Sequence, residues 1–264
     1  MNLVAIRREL DRVRKQVFLE GATGEVLPEV TRIQGKGGDW HCVQYSALQG
    51  HDVNAVIRAQ VAHYNALDAE AEWTVYSHDY PADLRQRLLL HGFQIGPREN
   101  VVVLDLREAP AWVRAPLVER VERVTTFEGV QAFRRVSEQV FDSAHERIAR
   151  ELWGAIRMGS SCLRGYIAYV DDQPASIGRL YTHPDSPFGG LYGGGTLQRF
   201  RGRGLYRANV AARAKDAAEL GVRYLRVDAL PTSYPILERL GFLKVSEAWP
   251  CLLPRPGGVV SSAG

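Results

Sequence analysis

Between Leu191 and Leu220 a strand broken by three consecutive glycines runs into a basic turn and then an alanine-rich helix. Few folds have a place for that order. Glycine inside a strand marks a bulge or the close approach of another backbone, and Gly193, Gly194 and Gly195 stand together here. The turn spells R-x-x-G-x-G through Arg199, Gly202 and Gly204, directly before the helix. A helix N-terminus presents unpaired N–H groups and a partial positive charge. Glycine lets the backbone come close to an anion, because no Cβ intervenes. The stretch therefore predicts a phosphate-binding turn at the head of a helix.

Upstream, periodicity predicts an amphipathic helix over residues 3–20, strands at Val30–Ile33 and His41–Tyr45, and a helix at Val53–Leu67. A strand at Trp73–Ser77, a helix at Pro81–His91 with Pro81 in its first turn, and a strand at Val101–Leu106 follow. Gly35-Lys36-Gly37-Gly38 lacks the G-K-[ST] of a Walker loop and reads as a hairpin turn. Pro110–Pro116 reads as a linker. Beyond it come a strand at Val118–Val124 and helices at Gly129–Phe141 and His145–Met158. A hairpin of Gly165–Val170 and Ala175–Thr182 turns at Asp171-Asp172-Gln173-Pro174. After the glycine strand Leu191–Leu197 and its helix, a strand at Val222–Asp228, a short helix at Ser233–Leu240 and a last strand from Gly241 to Val245 complete the pattern. Residues Pro254 to Gly264, rich in Pro, Gly and Ser, predict a flexible tail.

The halves repeat. Each runs helix, strand, helix, Gly-Phe, strand, with Leu90-His91-Gly92-Phe93 in the first and Arg239-Leu240-Gly241-Phe242 in the second. Gln49-Gly50-His51-Asp52 stands where the first half needs its own R-x-x-G-x-G. The net charge of +3, spread along the chain, argues against a nucleic-acid partner. Cys42, Cys162 and Cys251 are too far apart for a disulfide framework or metal spacing and read as buried small hydrophobes. No run approaches the ~18 apolar residues of a membrane span. Glu9 and Asp11 interrupt any signal-like apolar run, so the expectation is a cytoplasmic protein with no metal and no membrane partner.

From about Val118 to Leu253 the chain resembles the GNAT superfamily of acyl-CoA N-acyltransferases, through R-x-x-G-x-G at Arg199–Gly204 and Leu240-Gly241-Phe242. The whole resembles a tandem GNAT protein: an α/β chain with a degenerate GNAT-like domain over 1–110 and a catalytic one over 117–253. Each has a mixed, mostly antiparallel sheet flanked by helices. The resemblance implies acetyl-CoA as co-substrate. Its pyrophosphate is expected on backbone N–H groups near Arg201, Gly202, Gly204 and Leu205, and its pantetheine arm along Thr196 and Leu197. Arg199, Arg201 and Arg203 add charge toward the phosphates, and Ser233 either touches CoA or caps its own helix.

The implied reaction moves an acetyl group to the amine of a small molecule or peptide by direct attack in a ternary complex. Backbone N–H between Gly195 and Leu197 is expected to polarise the carbonyl. The family's tyrosine acid and its frequent asparagine are replaced by Leu237 and Leu230, which leaves Tyr234 as the substitute acid. Glu138, Asp142, His145, Glu146, His183 and Tyr192 are the base candidates. Two other readings stay open: a non-catalytic acyl-CoA-binding or regulatory protein, and a nucleotide-binding oxidoreductase. The latter rests on Asp228, which lies 24 residues after Gly204.

Overall fold

The computed structural model describes residues 2–18, 21–35, 38 and 40–257. Lys36 and Gly37 of the expected hairpin turn, residues 19–20 of the expected first helix and 258–264 of the expected tail lie outside the described residues. Along the chain run α1 (Leu3–Arg14), β1 (Thr23–Val26), β2 (Val30–Gln34), β3 (His41–Ser46), α2 (Val53–Ala66), β4 (Ala71–Tyr76), α3 (Leu84–Leu90), β5 (Gln94–Ile95) and β6 (Glu99–Asp105). Then come β7 (Val121–Arg123), α4 (Phe127–Phe141), α5 (Glu146–Arg157), β8 (Leu163–Val170), β9 (Gln173–Tyr181), β10 (Phe188–Thr196), α6 (Leu205–Glu219), β11 (Tyr224–Ala229), α7 (Tyr234–Arg239) and β12 (Leu243–Leu253). Helices α1, α2 and α4 start where Asn2, Asp52 and Thr126 accept first-turn N–H groups. Strand β1 is exposed along its whole length, so it has no hydrophobic alternation for the sequence to display. Helix α3 begins three residues after Pro81, which therefore precedes the helix.

The chain forms two compact units that are not contiguous in sequence. The first takes the described parts of Met1–Val102, Asp228–Glu238 and Leu243–Ala263. Its strands lie in the order β1-β2-β3-β4-β12, with β5 also on β12. Strand β12, which the sequence reading places in the second domain, pairs antiparallel with β4 over six positions, from Ala248↔Tyr76 to Leu253↔Ala71. That pairing buries Cys251 in one core with Trp73, Ile57, Tyr64, Leu88 and Phe93. Of the three cysteines only Cys251 is buried. The buried Arg14 bonds Asp79 at 2.8 and 3.0 Å and Asp11 at 2.9 Å, and His78 bonds Asp11 at 3.1 Å. Asp11, His78 and Asp79 are metal-type groups, but the guanidinium already supplies their counter-charge.

The second unit takes Val103–Val227 and Arg239–Phe242. Its strands lie in the order β7-β8-β9-β10-β11, antiparallel except for the parallel pair β10–β11. Asp171 and Asp172, at φ +47 and +61, form a two-residue turn between β8 and β9. Gln173 and Pro174 therefore belong to β9. Helices α4 and α5 cover one face through Phe133, Val136 and Leu152, which pack on Ile167, Ile177 and Leu197. Helix α6 lies on the other: successive β10 residues Gly194 and Gly195 face Tyr206 of α6 and Val140 of α4. The Pro110–Pro116 segment is anchored rather than free. Val113 is buried, and Trp112 Nε1 donates to Leu240 O at 3.0 Å.

The repeat is visible in backbone detail. Gly92 and Gly241 follow α3 and α7 at the same φ of +91, a left-handed value that favours glycine, and each hands a buried phenylalanine to its core. No described helix is long and apolar enough to cross a membrane. The mostly antiparallel sheets are not the doubly wound parallel sheet of a dinucleotide fold, so the oxidoreductase reading falls.

Candidate functional site

Strand β10 pairs with β9 at Tyr192↔Arg179 and again at Gly195↔Ile177, so it carries one extra residue between them. Gly193 sits there at φ +55. A Cβ on Gly195 would lie 2.3 Å from Val140 Cγ1, and one on Gly194 would lie 3.1 Å from the Tyr206 ring. Both glycines are thus set by packing from opposite faces. On its other edge β10 pairs with β11 only over Phe188–Gly190. From Leu191 to Thr196 the strand runs on without that partner.

The backbone then commits its groups. Leu197 N–H donates to Ala175 O at 2.9 Å, and its carbonyl accepts from Phe200 N–H at 2.9 Å. Leu197 therefore has no free N–H for the arm or the carbonyl that the sequence reading assigned to it. Thr196 Oγ1 donates to Ser176 Oγ at 2.9 Å, which in turn donates to Gly195 O at 2.9 Å. Arg199 and Arg203 lie over the Phe200 ring at 4.8 and 5.8 Å, while Arg201 Nε folds back onto Thr196 O at 3.3 Å. Gly202 and Gly204 both take φ +79. A Cβ on Gly202 would meet nothing within 4 Å. Gly204 is the N-cap of α6 and has no side chain to offer the first-turn N–H groups; Leu205 begins the helix, buried against Ala168 and Ala175.

The corresponding helix start in the first unit differs in being capped. There Asp52 Oδ1 accepts from Ala55 N–H at 3.1 Å, placing a carboxylate where an anion would otherwise sit. At α6 no side chain caps the first turn, although a carboxylate is close by: a Cβ on Gly204 would lie 3.1 Å from Glu119 Oε1.

On the α4–α5 face, His145 bonds Ser137 Oγ through Nδ1 and Ser143 Oγ through Nε2 at 3.1 Å. Burial first, and then the charge of Arg179, hold its imidazole below the usual pKa, which favours the neutral ring. Its ring stacks on Phe141 at 5.5 Å, and Phe141 Cζ lies 3.5 Å from where a Cβ on Gly195 would be. The other base candidates are less free. Glu138 and Glu146 share Arg134, which lowers the Glu138 pKa. Asp142 is an exposed helix C-cap at φ +49, and His183 Nδ1 accepts from Asp185 N–H at 3.2 Å. Tyr192 packs edge-on against Tyr181 at 5.3 Å. Sequence reasoning missed Arg179, Tyr181 and Glu151. Arg179 Nη1 donates to Tyr181 Oη at 3.1 Å, Tyr181 donates to Glu151 at 3.2 Å, and burial pushes the Tyr181 pKa up to about 12. The available signal was two polar side chains alternating with Ile177 on a strand face that is otherwise buried.

Ser233 and Tyr234 belong to the first unit, and the turn residues Arg199–Gly204 belong to the second. Ser233 Oγ donates to Leu230 O at 3.2 Å. Tyr234 Oη donates to Glu238 at 2.8 Å, and that bond raises its pKa. Leu237 is fully buried and Leu230 is exposed.

No family model and no curated protein matches this chain. Solved structures do. A GCN5-related N-acetyltransferase from Kribbella flavida is similar at 17% identity and TM-score 0.69, covering 97% of this chain and 96% of that one. A GCN5-related N-acetyltransferase from Sphaerobacter thermophilus is similar at 14% identity and TM-score 0.59, covering 91% and 85%. A tandem GNAT protein from the clavulanic acid biosynthesis pathway is similar at 16% identity and TM-score 0.55, covering 88% and 79%. The bulged strand, the glycine turn, the repeated Gly-Phe corners and these likenesses agree that the chain has the tandem fold of the GCN5-related N-acetyltransferases.

Proposed function

We propose that the second unit is an N-acyltransferase that moves an acetyl group from acetyl-CoA to an amine. The observation that carries this reading is the joining of a strand bulged at Gly193 and unpaired from β11 after Gly190 to a helix start with no side-chain cap. An extended pantetheine arm fits along the strand edge, and a pyrophosphate fits the open space at Gly202 and the N–H groups from Gly202 to Leu205. Arg199 and Arg203, which lie over the Phe200 ring, are assigned to the phosphates, whereas Arg201 is folded back on Thr196. Asp52 denies the first unit the same anion site, so one cofactor is assigned per chain.

Acetyl-CoA supplies the activated thioester. The amine attacks it, the C–N bond forms, the C–S bond breaks and the thiolate leaves as CoA. The chain's part is to align the two reactants at the bulge and to remove the ammonium proton before attack. His145, its pKa held down and its ring one ring away from Gly195, is the assigned base, acting directly or through Ser143. The thiolate is a stable leaving group, so no side-chain acid is required. Tyr234 is not given that role, because its proton is already held by Glu238.

The test is thiol release with acetyl-CoA and a panel of amines, together with thermal midpoints in acetyl-CoA and in NAD. Acetyl-CoA is expected to raise the midpoint, and Gly202→Glu or Gly204→Glu to abolish that rise while the variant stays folded. Unchanged acetyl-CoA affinity in both variants refutes the turn as the anion site. Binding without release from any amine leaves a binding protein rather than an enzyme.

A further inference from the structure

We propose that the acceptor amine also bears a carboxylate and that Arg179 binds it, an inference that rests on the acyl-transfer reading. Arg179 lies opposite Tyr192 at the bulge and shares its strand face with Ile177 and Tyr181, which pack toward α4 and α5. Its Nη2 and Nε lie 3.1 and 3.3 Å from where a Cβ on Gly193 would be, so the guanidinium rests against the bulge itself. Among the described residues no carboxylate is within ion-pair distance of it; its side-chain bond goes to the neutral Tyr181 hydroxyl. On the α4–α5 side Arg147 is matched by Glu151 and Arg134 by both Glu138 and Glu146, while the buried Arg213 of α6 donates to Arg179 O at 3.2 Å from the other face of the strand. This face therefore presents one unmatched cation at the bulge and, around Arg134 and His145, one carboxylate in excess. That charge pair complements an amino acid or peptide zwitterion. A polyamine brings nothing for Arg179 to bind and is repelled by it. The planar fork of a guanidinium suits a carboxylate bidentately, and a partly buried guanidinium gains most from such a partner.

The experiment compares alanine, lysine and phenylalanine with ethylamine, cadaverine and phenethylamine, by thiol release and by the thermal midpoint with CoA present. The carboxylated series is expected to show kcat/KM roughly ten-fold or more above its amine partners, the worth of a charge-assisted pair. Only that series is expected to raise the midpoint. Arg179→Gln should remove the preference mainly through KM and leave acetyl-CoA binding unchanged, with Arg179→Lys restoring part of it. Equal or better use of the decarboxylated amines overturns the proposal, as does an Arg179→Gln loss shared equally by both series. Amino-acid binding that depends on Arg179 without any acyl transfer refutes the acyltransferase reading instead, and leaves the carboxylate site standing.

Discussion

Replacing Gly195 with alanine puts a methyl carbon 2.3 Å from Val140 Cγ1 and 3.5 Å from Phe141 Cζ. Carbon atoms settle at about 3.5–4.0 Å, so the strand and α4 must part by roughly 1.2 Å. Val140 is β-branched on a helix, where one χ1 rotamer dominates, and it has no cheap way to swing aside. The strain therefore falls on the backbone of α4 or of the bulge, at a cost of about 1–3 kcal/mol. For a chain of this size that lowers the thermal midpoint by roughly 2–10 °C. The control is Val140→Ala, which removes two methyl groups at up to about 0.8 kcal/mol each, less for a partly exposed side chain. In the double variant the new methyl occupies the vacated space, so the two losses should not add. The coupling, read from urea or thermal unfolding of all four proteins, is expected at about 1–3 kcal/mol in favour of the double variant. A Gly195→Ala midpoint equal to the parent, or strictly additive losses, would refute the packing argument for the glycine strand.

Four further outcomes follow from the geometry. Gly202→Ala meets open space, so its cost is the left-handed backbone alone, about 1–2 kcal/mol in denaturant unfolding, and no neighbouring truncation should relieve it. Glu119→Gln removes a negative charge beside the proposed pyrophosphate site. By titration at low salt it should tighten CoA binding by roughly five-fold, about 1 kcal/mol, with a smaller gain at high salt. Burial opposes the charge of Asp11, but the hydrogen bonds and charges of His78 and Arg14 outweigh it and hold its pKa below 3.8. Its contribution to stability is thus present above that value and lost as pH falls below it, so acid unfolding should be shallower in Asp11→Asn. His145 should titrate below 6.5 by NMR and move upward in Arg179→Gln, since the Arg179 charge helps depress it. Because its folded pKa is depressed, its contribution weakens as pH falls from 6.5 toward the folded value.

The features that could be read from the chain are those set by local backbone demand. Gly193 at φ +55, Gly202 and Gly204 at +79 and the paired Gly92 and Gly241 at +91 each occupy conformations that L side chains avoid, so the residue type announces the geometry. The capped and uncapped helix starts are similarly local, because Asp52 and Gly204 differ in whether a side chain reaches the first-turn N–H groups. What lies beyond a few residues was not visible. The partner of β12 is decided by six backbone pairs to β4, and hydrogen-bonding edges carry no label of which strand they will meet. The anchoring of Pro110–Pro116 depends on one indole reaching Leu240 O, a contact across 128 positions. The proposed acceptor side is of the same kind: Arg179 and Tyr181 come from β9, and Glu151 and His145 from α5 and its N-cap. The matches of Arg147 and Arg134 are i,i+4 pairs within single helices, but the position of Arg179 against the bulge and the Tyr181 hydroxyl shows only once the strands pair. The proposed cofactor end was therefore written in consecutive residues, through glycine conformation and an uncapped helix. The proposed acceptor end was decided by tertiary structure, because strand pairing sets Arg179 against the bulge of a strand distant from it in sequence.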